Sequence, residues 1–216
     1  MPVSNAQTHN SLWRDEGGTS MRALGYFIGA IAVALILGIG SAWDMIERGS
    51  MLTTTRIGPW TSWLSEGNPN ADPYTRAQLA RSGRLPLTST AARYFVASTD
   101  SNGGRLSGAC EYTIVGAPLN ARWWSIALYD SRGSIVPNPS NRYSFNSEEA
   151  IRRSDGSYEI HVSQKARPGN WLPNGDDPDR SLTLLLRVYG PRETDVSGIG
   201  QIPAESLPKI ELKRCE

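Results

Sequence analysis

From Ala23 to Trp43 the chain reads ALGYFIGAIAVALILGIGSAW, without a charged residue. At about 1.5 Å per residue, about 20 helical residues cross a hydrocarbon core of about 30 Å. A core helix apolar on every face does not suit a soluble domain of this size. Two readings are left: an uncleaved membrane anchor, or a signal peptide cut near Gly40-Ser41-Ala42. The apolar run exceeds the usual signal-peptide core, which favours the anchor. Residues 21–46 are therefore expected to form one transmembrane helix, with Tyr26 and Trp43 at the two interfaces. Arg14 and Arg22 precede the run, and Asp44 and Glu47 follow it. Positive flanks stay inside, so the N-terminus is expected in the cytoplasm of a bacterial inner membrane and the rest of the chain in the periplasm. Residues 1–20 are polar and without apolar periodicity, and are expected as a disordered cytoplasmic tail; Met21 is an alternative start. Gly25, Gly29, Gly38 and Gly40 permit close helix approach, so a homo-oligomer is among the expected associations.

The remainder reads as strands and turns. Residues 47–70 are expected as a linker, with Ile57 to Leu64 lying on the bilayer or docking onto the following domain, 71–216. Asp72-Pro73 starts a helix, Asp as N-cap and Pro at the first helical position, which should stop at Gly83. Strands are expected at Ala92–Thr99, Cys110–Val115, Tyr158–Ser163, Ser181–Tyr189 and Lys209–Lys213, with a short helical turn at Ser147–Ile151 capped by Ser147. Ala121 to Tyr143 is the organising stretch. Trp124, Ile126 and Leu128 alternate with Trp123, Ser125, Ala127 and Tyr129, then Asp130-Ser131-Arg132-Gly133 turns and Ser134-Ile135-Val136 returns. This predicts a β-hairpin, and Trp on both faces requires that it lie inside a sheet. The two prolines of Val136–Asn141 exclude regular strand there, and Lys165–Arg180 reads as a long loop. Seven to nine short strands predict a mainly β fold, a jelly-roll-like β-sandwich with one or two short helices.

Cys110 and Cys215 are the only cysteines. In an oxidising compartment they are expected to pair, removing denatured-state entropy worth about 3–5 kcal/mol for a loop of this length. With 22 basic and 21 acidic residues the formal charge is +1, which excludes nucleic-acid binding driven by bulk charge.

The residues offer little catalytic machinery. His9 lies in the polar tail, and His161 falls opposite Tyr158, Ile160 and Val162, where a solvated strand residue is the simpler reading. No His/Cys cluster has metal-ligand spacing, and Asp176-Asp177-Pro178-Asp179 reads as a solvated loop rather than a Ca²⁺ site. No metal or cofactor is expected. The ligand-binding candidates are polar and aromatic residues at the organising stretch and on the loops: Trp124, Asn138, Asn141, Arg142, Tyr143, Asn170 and Trp171. Arg142 can clamp a carboxylate or phosphate, and Trp124 and Trp171 can stack on an apolar ligand.

Five segments carry a resemblance: Asp72-Pro73-Tyr74-Thr75-Arg76, Arg122-Trp123-Trp124-Ser125, Val136-Pro137-Asn138-Pro139 with Asn141-Arg142-Tyr143-Ser144, Asn170-Trp171-Leu172-Pro173, and Leu186-Arg187-Val188-Tyr189-Gly190-Pro191. In order and spacing they resemble the DUF1214 family over about Asp72 to Cys215. The resemblance implies a jelly-roll type β-sandwich and a DUF1254-type envelope protein as partner, and no catalytic residues. The expected function is a binding or interaction module of the cell envelope, its partner a protein or an apolar small molecule. The alternative is an envelope hydrolase, or a lipid- or glycan-modifying enzyme, with a site around Trp124, Arg142 and Tyr143 and a carboxylate from Asp130 or Glu148.

Overall fold

The computed structural model describes residues 16–191 and 204–215, in two compact units that part after Met45. Most of the expected N-terminal tail, His9 included, lies outside the described residues. Helix α1 spans Glu16–Arg48. Its stretch Met21–Arg48 is long and apolar enough to cross a membrane, and none of its most apolar window is buried within the protein. Its place near the N-terminus meets the description of a membrane anchor and of a signal sequence alike.

The second unit is the β body. Its larger sheet contains β1 (Thr54–Ile57), β2 (Trp60–Trp63), β3 (Ala92–Ala97), β9 (Leu182–Pro191), β5 (Ala121–Asp130) and β6 (Ser144–Asn146), in that spatial order. The smaller sheet runs β10 (Lys209–Cys215), β4 (Cys110–Gly116), β7 (Tyr158–Ser163), β8 (Asn170–Pro173). A single apolar core joins side chains of the two sheets, as the mainly β expectation requires. All pairs are antiparallel except β7 with β8, which departs from the antiparallel pattern of a jelly roll.

Helix α2, Pro73–Ser82, follows its sequence signals closely. Asp72 Oδ1 accepts from the N–H groups of Tyr74 and Thr75, each at 3.0 Å, and Gly83 ends the helix at φ 64°. A β-carbon is strained at that angle, which is why glycine serves there.

Strand β5 is interior, flanked by β9 and β6, but not by the expected hairpin partner. After the turn at Asp130 the returning chain makes only an isolated bridge, Ile135 with Tyr129. Asp130 ties that turn tightly, its Oδ1 accepting from Arg132 N at 2.9 Å and Ser134 N at 2.8 Å. Pro137 and Pro139 then carry the chain out of the ladder, and it re-enters on the same edge as β6, pairing with Ser125–Ala127, while β9, contributed from 50 residues on, fills the opposite edge. The two tryptophans do face opposite sides. Trp124 stacks on Tyr158 across the core with ring centroids 4.5 Å apart, and Trp123 meets Tyr189 edge-on at 5.3 Å outside.

Three further expectations change. The stretch expected as a linker supplies β1 and β2: Trp60 is 1 % exposed and its indole N–H donates to Pro208 O at 2.6 Å. The cap of the turn after β6 is Asn146, whose Oδ1 accepts from Glu148 N and Glu149 N. Ser147, expected in that role, instead accepts from Trp124 N through its hydroxyl. The long loop 165–180 contains β8, whose Pro173 and short length hid a strand at a sheet edge. Ala204–Ser206 is a 3₁₀ turn leading into β10.

Cys110 and Cys215 lie directly opposite each other on β4 and β10 and form a disulfide across 105 residues of sequence. Gly116, at the end of β4, leaves room for the Tyr158 ring: a β-carbon there would fall 2.2 Å from Tyr158 Cζ. Replacing both cysteines by serine is expected to lower unfolding free energy by about 3 kcal/mol or more, measured by urea denaturation. Gly116→Ala is expected to cost about 2 kcal/mol through overpacking and to weaken near-ultraviolet dichroism from the Trp124–Tyr158 stack.

Candidate functional site

Strand alternation assigns the two faces of the smaller sheet. Tyr112, Ile114, Ile160, Val162, Leu172 and Ile210 enter the core, so their neighbours point outward. Register then sets the outward residues in rows: Glu211 beside Thr113, Thr113 beside His161, and His161 beside Trp171. Next to that row Arg214 stands opposite Glu111.

These side chains line a groove of about 370 Å³ formed by Glu111, Thr113, His161, Ser163, Arg167, Lys213 and Arg214, with Tyr112 at its floor. A β-bulge between Leu212 and Arg214 makes the groove's cationic wall. In a regular strand Lys213 and Arg214 would face opposite sides; the extra residue re-aims the strand, and both border the same groove. The disulfide lies one residue beyond both Glu111 and Arg214, so it fixes the strand pair at the groove's end.

Glu111 is gripped from two directions. Arg214 Nη2 donates to Oε1 at 2.7 Å and Arg167 Nη2 to Oε2 at 2.5 Å. The hydrogen bond from Arg214 holds the Glu111 carboxyl below its ordinary value, against its own burial and with help from Arg167. Lys213 Nζ donates to Glu211 Oε2 at 2.7 Å. On the other wall Thr113 Oγ1 and His161 Nδ1 are 3.3 Å apart, a long hydrogen bond. Ser163 is engaged by its own loop, its hydroxyl donating to Lys165 O. Two guanidinium groups around the Glu111 carboxylate, with the Lys213 ammonium beside them paired to Glu211, form an anion-recognition surface in which side chains of the protein fill the anion's place.

The loop and hairpin candidates are distributed differently. Trp124 is 3 % exposed and belongs to the core. Asn138 staples its own loop, with Nδ2 donating to Val136 O and Arg142 O and Oδ1 accepting from Arg142 N. Asn141 takes φ 50° and accepts from the Tyr143 hydroxyl. Arg142 lies over the Phe145 ring, 5.0 Å from its centroid, and reaches Trp171 O at 3.4 Å. Asn170 is buried and bridges three backbone groups: Oδ1 accepts from Ile151 N, and Nδ2 donates to Ile151 O and Glu159 O. Trp171 donates from its indole to Ser163 O. Of the seven, only Trp171 extends a row that crosses the groove; Trp124 is separated from Arg142 and Tyr143 by its burial. Asp130, a carboxylate of the enzyme alternative, is committed to its turn: burial pushes its pKa up, and the N–H bonds from Ser134 and Arg132 outweigh that and hold it low.

Glu111, Thr113, Arg167, Lys213 and Arg214 were not singled out by sequence reasoning, and His161 was weighed there as a solvated residue. Alternation in CEYTIVG and YEIHVS does put Glu111, Thr113 and His161 opposite the apolar set. Only the strand order β10-β4-β7 brings them together.

Residues 91–193 match the family described as "Protein of unknown function (DUF1214)". Helix α2 and strand β10 lie outside the matched stretch. No curated protein matches the chain significantly. Among solved structures, the VPA0106 protein from Vibrio parahaemolyticus is similar at 25% identity and a TM-score of 0.52, over 67% of this chain and 36% of that one. An uncharacterized protein from Burkholderia cenocepacia aligns at 20% identity and a TM-score of 0.37, over 85% of this chain and 52% of that one. The chain thus spans about a third of the Vibrio protein and about half of the Burkholderia protein.

A carboxylate with a depressed folded-state pKa contributes stability above its unfolded value, lost as pH falls through the folded value. Glu111→Gln is therefore expected to be about 1 kcal/mol less stable than the parent at pH 7. The gap should close well below the ordinary glutamate value of 4.5, where the parent carboxyl is itself protonated. Urea midpoints of the two proteins across that range check it.

Proposed function

Because residues 91–193 belong to the DUF1214 family, we propose that this chain is a membrane-tethered binding module of the bacterial cell envelope, with its β body in the periplasm. One combination carries the reading: an apolar helix whose membrane-length window is unburied, joined to a body closed by a disulfide. Disulfides persist in oxidising spaces, and the cytosol is reducing. Arg22 before the uncharged run from Ala23 to Trp43 and Asp44 and Glu47 after it favour a cytoplasmic N-terminus.

The contact surface of the module is the groove over the smaller sheet. Its chemistry suits a carboxylate- or phosphate-bearing ligand in place of the apolar small molecule expected from the loop aromatics, because cations and hydroxyls line it. An incoming anion takes the place of Glu111 between Arg167 and Arg214, or joins Lys213 at the rim. A DUF1254-type envelope protein, the partner the resemblance implies, would present such a group as an acidic side chain.

Protease added to spheroplasts is expected to digest the β body of a chain that pellets with inner membrane, and to leave it intact in whole cells. Maleimide should label the cysteines only after reduction. A soluble chain with free thiols would defeat the envelope reading. For the groove, calorimetric titration of the full chain with citrate and with inorganic phosphate should show saturable binding, weakened about threefold by Lys213→Ala. Absence of heat at millimolar probe removes the groove as the ligand contact.

A further inference from the structure

Outside α1, eight large apolar side chains are exposed among the described residues, and five of them occupy one end of the β body: Met51, Leu52, Leu64, Leu85 and Leu87. Met51, Leu52 and Leu85 are 96 %, 85 % and 95 % exposed. Backbone pairing establishes the grouping. Thr61 pairs with Val96 in antiparallel sense, so β2 leads towards the Ala92 end of β3 as it approaches Leu64. Leu64 N donates to Thr53 O at 2.9 Å, which brings the turn carrying Met51 and Leu52 to the same end. Ser89 N donates to Gly67 O at 3.3 Å, and Leu87 N to the Tyr94 hydroxyl at 3.1 Å. These bonds hold the segment with Leu85 and Leu87 there as well. Arg81 pairs with Glu47 at 2.5 Å and draws the end of α2 to a point four residues before Met51.

Single exposed apolar residues need no explanation, but five at one end of a body, nine-tenths exposed in two cases, do. What covers them follows from chain length. Met51 is three residues beyond Arg48, where α1 ends, so their Cα atoms are at most about 11 Å apart. An interfacial apolar group sinks about 5–10 Å into the boundary between headgroups and acyl chains. The charged residues Asp44, Glu47 and Arg48 mark where the helix meets that boundary.

We propose that the Ala92 end of the larger sheet is a membrane-docking face, with Met51, Leu52, Leu64, Leu85 and Leu87 seated in the lipid surface that holds α1. The inference rests on the anchor reading of α1. It gives the β body one fixed end against the bilayer. The turn at Ser131–Gly133 is at the other end, because Trp123 lies level with Ala92 through Tyr189 and Asp130 is seven residues further along β5. At about 3.3 Å per residue that separation is about 23 Å.

The test uses the full chain, its native disulfide formed, carrying one environment-sensitive fluorophore on Leu52→Cys, Leu85→Cys or Ser131→Cys. Each protein is reconstituted into phosphatidylethanolamine–phosphatidylglycerol vesicles and floated. Lipid-borne nitroxide is expected to quench the labels at 52 and 85 at least about threefold more than the label at 131. Flotation with all three labels equally wet overturns the docking face and leaves the anchor standing. Failure to float overturns both.

Discussion

Strand β5 must be covered on both faces, and the architecture follows from that requirement. Trp124, Ile126 and Leu128 need a second sheet beneath them, which β4 and β7 supply through Ile114, Tyr158 and Ile160. Trp123, Ser125 and Ala127 need neighbours of their own, supplied by Tyr189, Arg187 and Leu185 of β9. The Trp124–Tyr158 stack joins the two demands in one contact. Burial pushes the Tyr158 hydroxyl far up, so the ring serves the core as a neutral group at every physiological pH. Gly116 follows from the same contact, since any side chain there would occupy the volume of that ring.

The smaller sheet is organised at its other face by a different constraint. The bond between Cys110 and Cys215 joins an edge strand to its neighbour where β10 contains a bulge. Edge strands gain from such pinning, because they lack a partner on one side. Here the pinned, bulged edge also delivers Lys213 and Arg214 to one side of the sheet, Arg214 bonded to Glu111 and Lys213 to Glu211. A covalent link and an ion-pair network therefore act on the same few residues. Stability of that edge and the charge of the groove are coupled.

Local chemistry explains where sequence reasoning reached the structure. Asp72, Pro73 and Gly83 delimit α2 by caps and backbone geometry that operate within a few residues. The strands β3, β4 and β7 follow from local strand patterning, and β9 from its apolar run. The expected return strand at Ser134–Val136 was misjudged because a turn can be formed by Asp130 without committing the chain beyond it to a ladder. Asn138, Asn141 and Asn170 drew notice as polar groups on loops, and their hydrogen bonds hold loop backbone. Glu111, Arg167 and Arg214 did not draw notice, since they are separated by up to about a hundred residues and carry no spacing signal.

Patterns that repeat or terminate locally were enough for the apolar helix, the mainly β body, the limits of α2 and the family match of residues 91–193. The packing of the whole chain settled which strands are neighbours, that β1 and β2 belong to the sheet, and that a bulge brings two consecutive cations to one groove. Strand order and register arise from fitting two sheets over a common core. That fit is a property of the whole chain, and no window of sequence contains it.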